Sequence, residues 1–171
     1  MRQIFKNRFI KPYFFGSSNE LSRFVRNLGE VKELWLEDSV GANYVCYVCR
    51  ESLSGEVIFC LSFCSEEEVN DLNLIHWSKA NLMVVETGKT VQLINEDLIV
   101  IKVLDLTYPV IGFQITPMNN LLVLEEGSMR LVDFEGKVLM EKVFDLIEDF
   151  ELDGNTLIVK TAEGIESVKL Q

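Results

Sequence analysis

The chain has 171 residues, 48% of them hydrophobic, with 16 basic residues against 27 acidic ones and a net charge of −11. That length suits a single domain with a sizeable core, and the charge speaks against DNA, RNA or anionic membrane surfaces as partners. The charge is uneven, because residues 1–26 carry six cations against Glu20, or +5, which leaves −16 on residues 27–171.

Residues 1–15 interleave Arg2, Lys6, Arg8 and Lys11 with Ile4, Phe5, Phe9, Ile10, Tyr13, Phe14 and Phe15. This pattern predicts one or two strands, or an arm, lying on the core. The early cations interrupt any secretory h-region, and no apolar run approaches the roughly 18 residues a membrane helix needs. The expected compartment is a cytoplasm, where four cysteines would stay reduced.

Gly16-Ser17-Ser18 is a turn whose serines can cap a helix near 19–28. Leu21, Phe24, Val25 and Leu28 fall at i, i+3, i+4 and i+7, one apolar stripe, and Gly29 supplies the stop. From Val31 onward the period becomes that of strands. Leu34-Trp35-Leu36 is a short run; Tyr44–Arg50 and Glu56–Phe63 read as a hairpin across a polar loop ending in Gly55. Residues 73–77 read as one more strand.

The remainder repeats. Asn81-Leu82-Met83-Val84-Val85-Glu86-Thr87-Gly88 returns as Asn120-Leu121-Leu122-Val123-Leu124-Glu125-Glu126-Gly127, and more loosely from Asn155 to Gly164. Leu82, Leu121 and Leu157 set periods of 39 and 36 residues. Strands are expected near 82–86, 90–94, 98–104 and 110–115, then 121–125, 129–133, 137–144 and 149–152, then 157–161 and 165–170. The hairpin 44–63 with strand 73–77 reads as a degenerate preceding unit. A period near 40 with several short strands resembles β-propeller blades, although the Trp-Asp and Gly-His signatures of the WD family are missing. The expected fold is mainly β: antiparallel meander repeats in a small propeller-like ring or stacked sheets, with a β-sandwich as the alternative. The expected organisation is a single domain, a basic arm plus helix over 1–30 followed by repeats over 31–171. The aromatic N-terminal segment is available to complete a ring short of its final strands.

Few residues point to chemistry. Cys46-Tyr47-Val48-Cys49 and Cys60-Leu61-Ser62-Phe63-Cys64 have spacings that zinc sites use. Yet positions i and i+3 on a strand face opposite ways, so buried structural thiols are expected and no metal. His76, the single histidine, lies in an apolar strand with no nucleophile elbow nearby. Phosphate-cradling loops and calcium loops are absent from the sequence, and no cofactor is expected.

The remaining signal is acid. Glu66, Glu67, Glu68 and Asp71 form one cluster; Glu125 and Glu126 a second; Asp145, Glu148, Asp149, Glu151 and Asp153 a third. These eleven are the candidate contacts for a cationic partner, since an acidic surface speeds association with a basic one and rejects anions. The expectation is a non-enzymatic, cytoplasmic protein-binding module, an immunity or inhibitor protein that covers the cleft of a basic toxin such as a nuclease. The alternatives are a structural subunit of a propeller-type assembly and an enzyme with a dispersed carboxylate site.

Overall fold

The computed structural model describes residues 2–36, 41–66 and 74–170. One α-helix and sixteen strands are described, and the strands form four sheets with the orders β1-β2-β4-β5-β3, β6-β7-β8-β9, β10-β11-β12-β13 and β14-β15-β16. The strands are β1 (Arg2–Ile4), β2 (Arg8–Phe15), β3 (Lys32–Trp35), β4 (Asn43–Glu51), β5 (Val57–Ser65), β6 (Leu74–Trp77), β7 (Leu82–Glu86) and β8 (Thr90–Asn95). They continue as β9 (Val100–Asp105), β10 (Val110–Ile115), β11 (Leu121–Glu125), β12 (Ser128–Val132), β13 (Val138–Val143), β14 (Ile147–Asp153), β15 (Thr156–Thr161) and β16 (Gly164–Lys169). The chain divides into two compact units, Met1–Val100 and Ile101–Gln171, and the division falls within β9.

In the first unit the five-stranded sheet is buried on both faces, because β4 and β5 alternate two apolar sets. Val45, Tyr47 and Cys49 with Phe59, Leu61 and Phe63 pack against Leu74, Met83, Val85 and Ile94. Cys46, Val48 and Cys60 turn the other way and meet Leu21, Phe24, Val25 and Leu28 of α1 (Ser18–Asn27). The helix starts where the sequence says it should. The Ser17 hydroxyl accepts from Glu20 N at 3.3 Å, and Glu20 Oε2 accepts from Gly16 N at 3.0 Å, a reciprocal cap that satisfies two backbone donors.

The N-terminal segment forms two strands, but it completes no later repeat. β1 pairs with β2, and β2 pairs antiparallel with β4 from Arg8↔Glu51 to Phe15↔Tyr44. β3 runs parallel to β5 at that sheet's edge. The hairpin 43–65 therefore does not belong with strand 74–77, which pairs with β7 and opens the next sheet. Each of the other three sheets begins one strand before the repeated motif. The turn entering each motif strand holds a left-handed residue: Asn81 (φ 55°), Asn119 (φ 65°) and Gly154 (φ 55°). Asn and Gly are the residue types that accept this conformation at least cost.

The second unit is two antiparallel sheets joined by a shared apolar layer. Leu122, Leu124, Met129 and Leu131 of one meet Leu157, Val159, Val168 and Leu170 of the other, with Phe144, Ile147, Phe150 and Leu152 alongside. Burial of side chains of this size stabilises by about 1.5–3 kcal/mol each. No helix among the described residues is long and apolar enough to cross a membrane.

Candidate functional site

The outer face of the β14-β15-β16 sheet follows from alternation. On β14, Phe150 and Leu152 join the apolar layer, so Asp149, Glu151 and Asp153 face the opposite way. Register sets Asp149 opposite Lys160, Glu151 opposite Ile158 and Asp153 opposite Thr156. The next strand adds Ile165 beside Lys160, Ser167 beside Ile158 and Lys169 beside Thr156. The result is a nine-residue face with three carboxylates down one side. It is exposed along β14 and β16 and half-buried at Thr156 and Ile158.

Glu148 sits at a bulge between Ile147 and Asp149, which lets it reach Lys160 Nζ at 3.5 Å. Both partners are about half exposed, so this pair adds little stability. Asp145 is exposed just ahead of the strand. Residues 145–169 hold seven acids against Lys160 and Lys169, leaving an uncompensated negative field over this sheet.

Glu125 is not part of any solvent-facing surface. It is 1% exposed. One carboxylate oxygen accepts from the backbone N–H groups of Thr107 (2.6 Å) and Tyr108 (2.9 Å). The other accepts from Ser128 Oγ (3.3 Å) and from Arg130 Nε (3.1 Å) and Nη2. The expectation that Glu125 meets a partner is corrected: it pins the segment before β10 to the β11–β12 hairpin. An acid in a repeat motif reads the same from sequence whether it is solvated or paired, and Arg130, five residues on, is the sequence feature that marks this one as paired.

Glu126 is half-buried, and its carbonyl accepts from Ile147 N at 2.7 Å. Glu66 is exposed in the first unit. Glu67, Glu68 and Asp71 lie outside the described residues. The structure thus gathers Glu148, Asp149, Glu151 and Asp153 on one strand, with Asp145 just ahead of it, and leaves Glu66 in the other unit.

The four cysteines are buried and His76 is half-buried. Cys46 and Cys49 lie in different apolar clusters on opposite faces of their sheet, as strand geometry requires. Cys46 is held below its ordinary value by a hydrogen bond from the Cys60 thiol, and Cys60 is pushed up by the same bond and by burial. Burial raises Cys49 to about 11. His76 Nε2 accepts from Phe5 N at 3.3 Å, its ring stands edge-on to Phe5, and burial lowers its pKa. No group of three or more metal-ligating side chains occurs among the described residues.

Solved structures give the architecture a context. BBS1N, in its complex with ARL6DN, superposes with a TM-score of 0.51 at 15% identity over 75% of this chain and 46% of that one. A protein of unknown function from Bacteroides caccae matches with a TM-score of 0.51 at 14% identity, over 74% and 54%. The Pan2 WD40 domain of Neurospora crassa matches with a TM-score of 0.51 at 10% identity, over 74% and 42%.

The fold is β-propeller-like. The chain spans about half the length of the solved structures it resembles. No protein-family model matches the chain, and no curated protein matches it. At these identities the propeller likeness is one of fold.

Proposed function

We propose that this chain is a non-enzymatic protein-binding module that docks the acidic outer face of its third repeat sheet on a basic protein. The observation that supports the reading is the row Asp149, Glu151 and Asp153, exposed on one face of β14 with Glu148 beside it and a single lysine opposite. A surface with a net negative field attracts a cationic partner from a distance and holds off phosphate-bearing competitors. The partner class that fits is a basic toxin domain such as a nuclease. Its cleft is built for phosphate, and the three carboxylates would occupy it as phosphate surrogates. The module would then act as an immunity or inhibitor protein in a cytoplasm, by covering the cleft and without making or breaking a bond.

The test is capture of the partner from the native host on the immobilised chain, followed by association kinetics across a salt series. The captured protein should be basic. Its association rate should fall at least tenfold between about 0.01 M and 1 M salt, as the screening length shrinks from about 30 Å to 3 Å. Neutralising the row with Asp149→Asn, Glu151→Gln and Asp153→Asn should remove most of that dependence. Association indifferent to salt, or unchanged in the triple variant, would sink the reading.

A further inference from the structure

Three observations in the first unit meet on Phe5, in the turn between β1 and β2. Its backbone is left-handed (φ 47°), as is that of Asn7 two residues on (φ 61°). A bulky residue rarely adopts that region, and such strain persists only where surrounding contacts hold it. The Phe5 ring is 5% exposed and joins Ile4 in the apolar cluster with Leu74, Met83 and Ile94. Its N–H donates to His76 Nε2 at 3.3 Å, and its ring stands edge-on to the imidazole at a centroid distance of 5.0 Å.

That bond ties the edge strand of one sheet, β1, to the edge strand of another, β6. The Arg2 guanidinium makes a second tie, to Leu74 O. Only a neutral imidazole with its proton on Nδ1 accepts at Nε2. Protonation turns Nε2 into a donor and sets N–H against N–H. The remaining hold on β1 is slight, three residue pairs with β2. β2 itself is fastened to β4 by eight pairs, and Asn7 O accepts from Ser52 N at 2.8 Å. What can come loose is residues 2–6.

The charged groups on the elements around the ring are Arg2, Lys6 and Arg8 on the β1–β2 hairpin, Lys79 after β6, Glu86 at the end of β7 and Glu96 after β8. Arg8 lies over the Phe5 ring at 5.9 Å and 3.9 Å from Glu96, while Glu86 is turned to Gly88 N. The hairpin thus carries three cations, which would repel an imidazolium.

We propose that His76 is an acid-sensitive latch on the β1–β2 turn: protonation breaks its bond with the Phe5 N–H, and residues 2–6 lift away and uncover the apolar seat of Ile4 and Phe5. Release relaxes the left-handed Phe5 and separates like charges. Burial of Ile4 and Phe5 opposes it and keeps the latch shut while the ring is neutral. Burial also lowers the His76 pKa below 6.5, so opening belongs to the acid side of neutrality. The latch stands independently of the acidic face, which belongs to the second unit.

The test is amide hydrogen exchange and imidazole nitrogen NMR on the full chain at pH 7.5 and 5.0, with rates corrected for the intrinsic effect of pH. At pH 7.5 Nε2 should carry no proton and the Phe5 amide should be protected. At pH 5.0 that protection should fall by about threefold or more, because the open form binds the proton more tightly, while the amides of β4 and β5 hold. His76→Gln keeps an acceptor and cannot titrate, so its Phe5 amide should be equally protected at both pH values. Glu96→Gln should respond as the wild type does. A proton on Nε2 at pH 7.5, or Phe5 protection unmoved while the imidazole titrates, would overturn the latch. So would the same loss in His76→Gln, or a loss shared by β4 and β5. If His76→Gln does not fold, the wild-type tautomer and exchange pattern decide alone.

Discussion

Glu125→Gln is the sharpest probe of what the repeat motif does. The substitution keeps shape and volume but exchanges one carboxylate oxygen for an amide nitrogen, and both oxygens of Glu125 accept. Turned one way, the new NH2 group faces the Thr107 and Tyr108 amides, now 2.6 and 2.9 Å from an oxygen. Turned the other way, it faces the Arg130 guanidinium and Ser128. The first orientation leaves two partly buried backbone donors without an acceptor, and the second leaves the donors of Arg130 and Ser128 so; an unmet buried donor costs about 1–3 kcal/mol. The side chain of Arg130 is only 13% exposed, so losing its counter-charge approaches the cost of about 3–5 kcal/mol for breaking a buried pair. The expected loss is about 3 kcal/mol. At about 2–4 °C per kcal/mol for a chain of this size, the thermal midpoint should fall by about 6–12 °C. Urea and thermal unfolding followed by circular dichroism would measure it, with half-buried Glu126→Gln as a control expected within about 0.5 kcal/mol. A cycle with Arg130→Gln should return a coupling of at least about 1 kcal/mol. The reasoning is refuted if Glu125→Gln unfolds like the wild type, or if it weakens partner binding while leaving stability intact.

Two further outcomes follow from the core. Burial holds the His76 pKa below its ordinary 6.5. The folded state therefore binds fewer protons than the unfolded one, and the stability His76 contributes is complete above about pH 6.5 and is lost as pH falls toward the folded value. The urea midpoint should drop between pH 7.5 and 5.5 more in the wild type than in His76→Gln, which keeps an acceptor for Phe5 N–H; equal slopes would refute this. At Gly112 an added Cβ would lie 2.5 Å from Phe150 Cζ, so Gly112→Ala should cost about 1–3 kcal/mol through overpacking. Gly127→Ala, whose Cβ would sit at 3.4 Å from Tyr108, serves as the comparison, and equal unfolding midpoints for the two variants would refute the packing argument.

The sequence alone determined the strand inventory, the capped helix and the repeat length, because each is written in local terms. Residues 82–86, 110–115 and 121–125 are strands as their apolar runs require, and the Ser17–Glu20 box starts the helix. The alternation that sends Cys46 and Cys49 to opposite faces was equally legible, since a two-residue period needs no partner to define it. Only the tertiary structure decided the grouping. A period of 36–39 residues fixes spacing but not phase, so whether strand 74–77 closes one sheet or opens the next depends on pairing partners that no window contains. The same holds for β2, whose partner residues on β4 lie 29 to 43 positions further along the chain, from Phe15↔Tyr44 to Arg8↔Glu51. Acids divide along this line too: Glu125 and Asp149 have the same carboxylate chemistry, and only their surroundings make one a buried anchor and leave the other facing solvent.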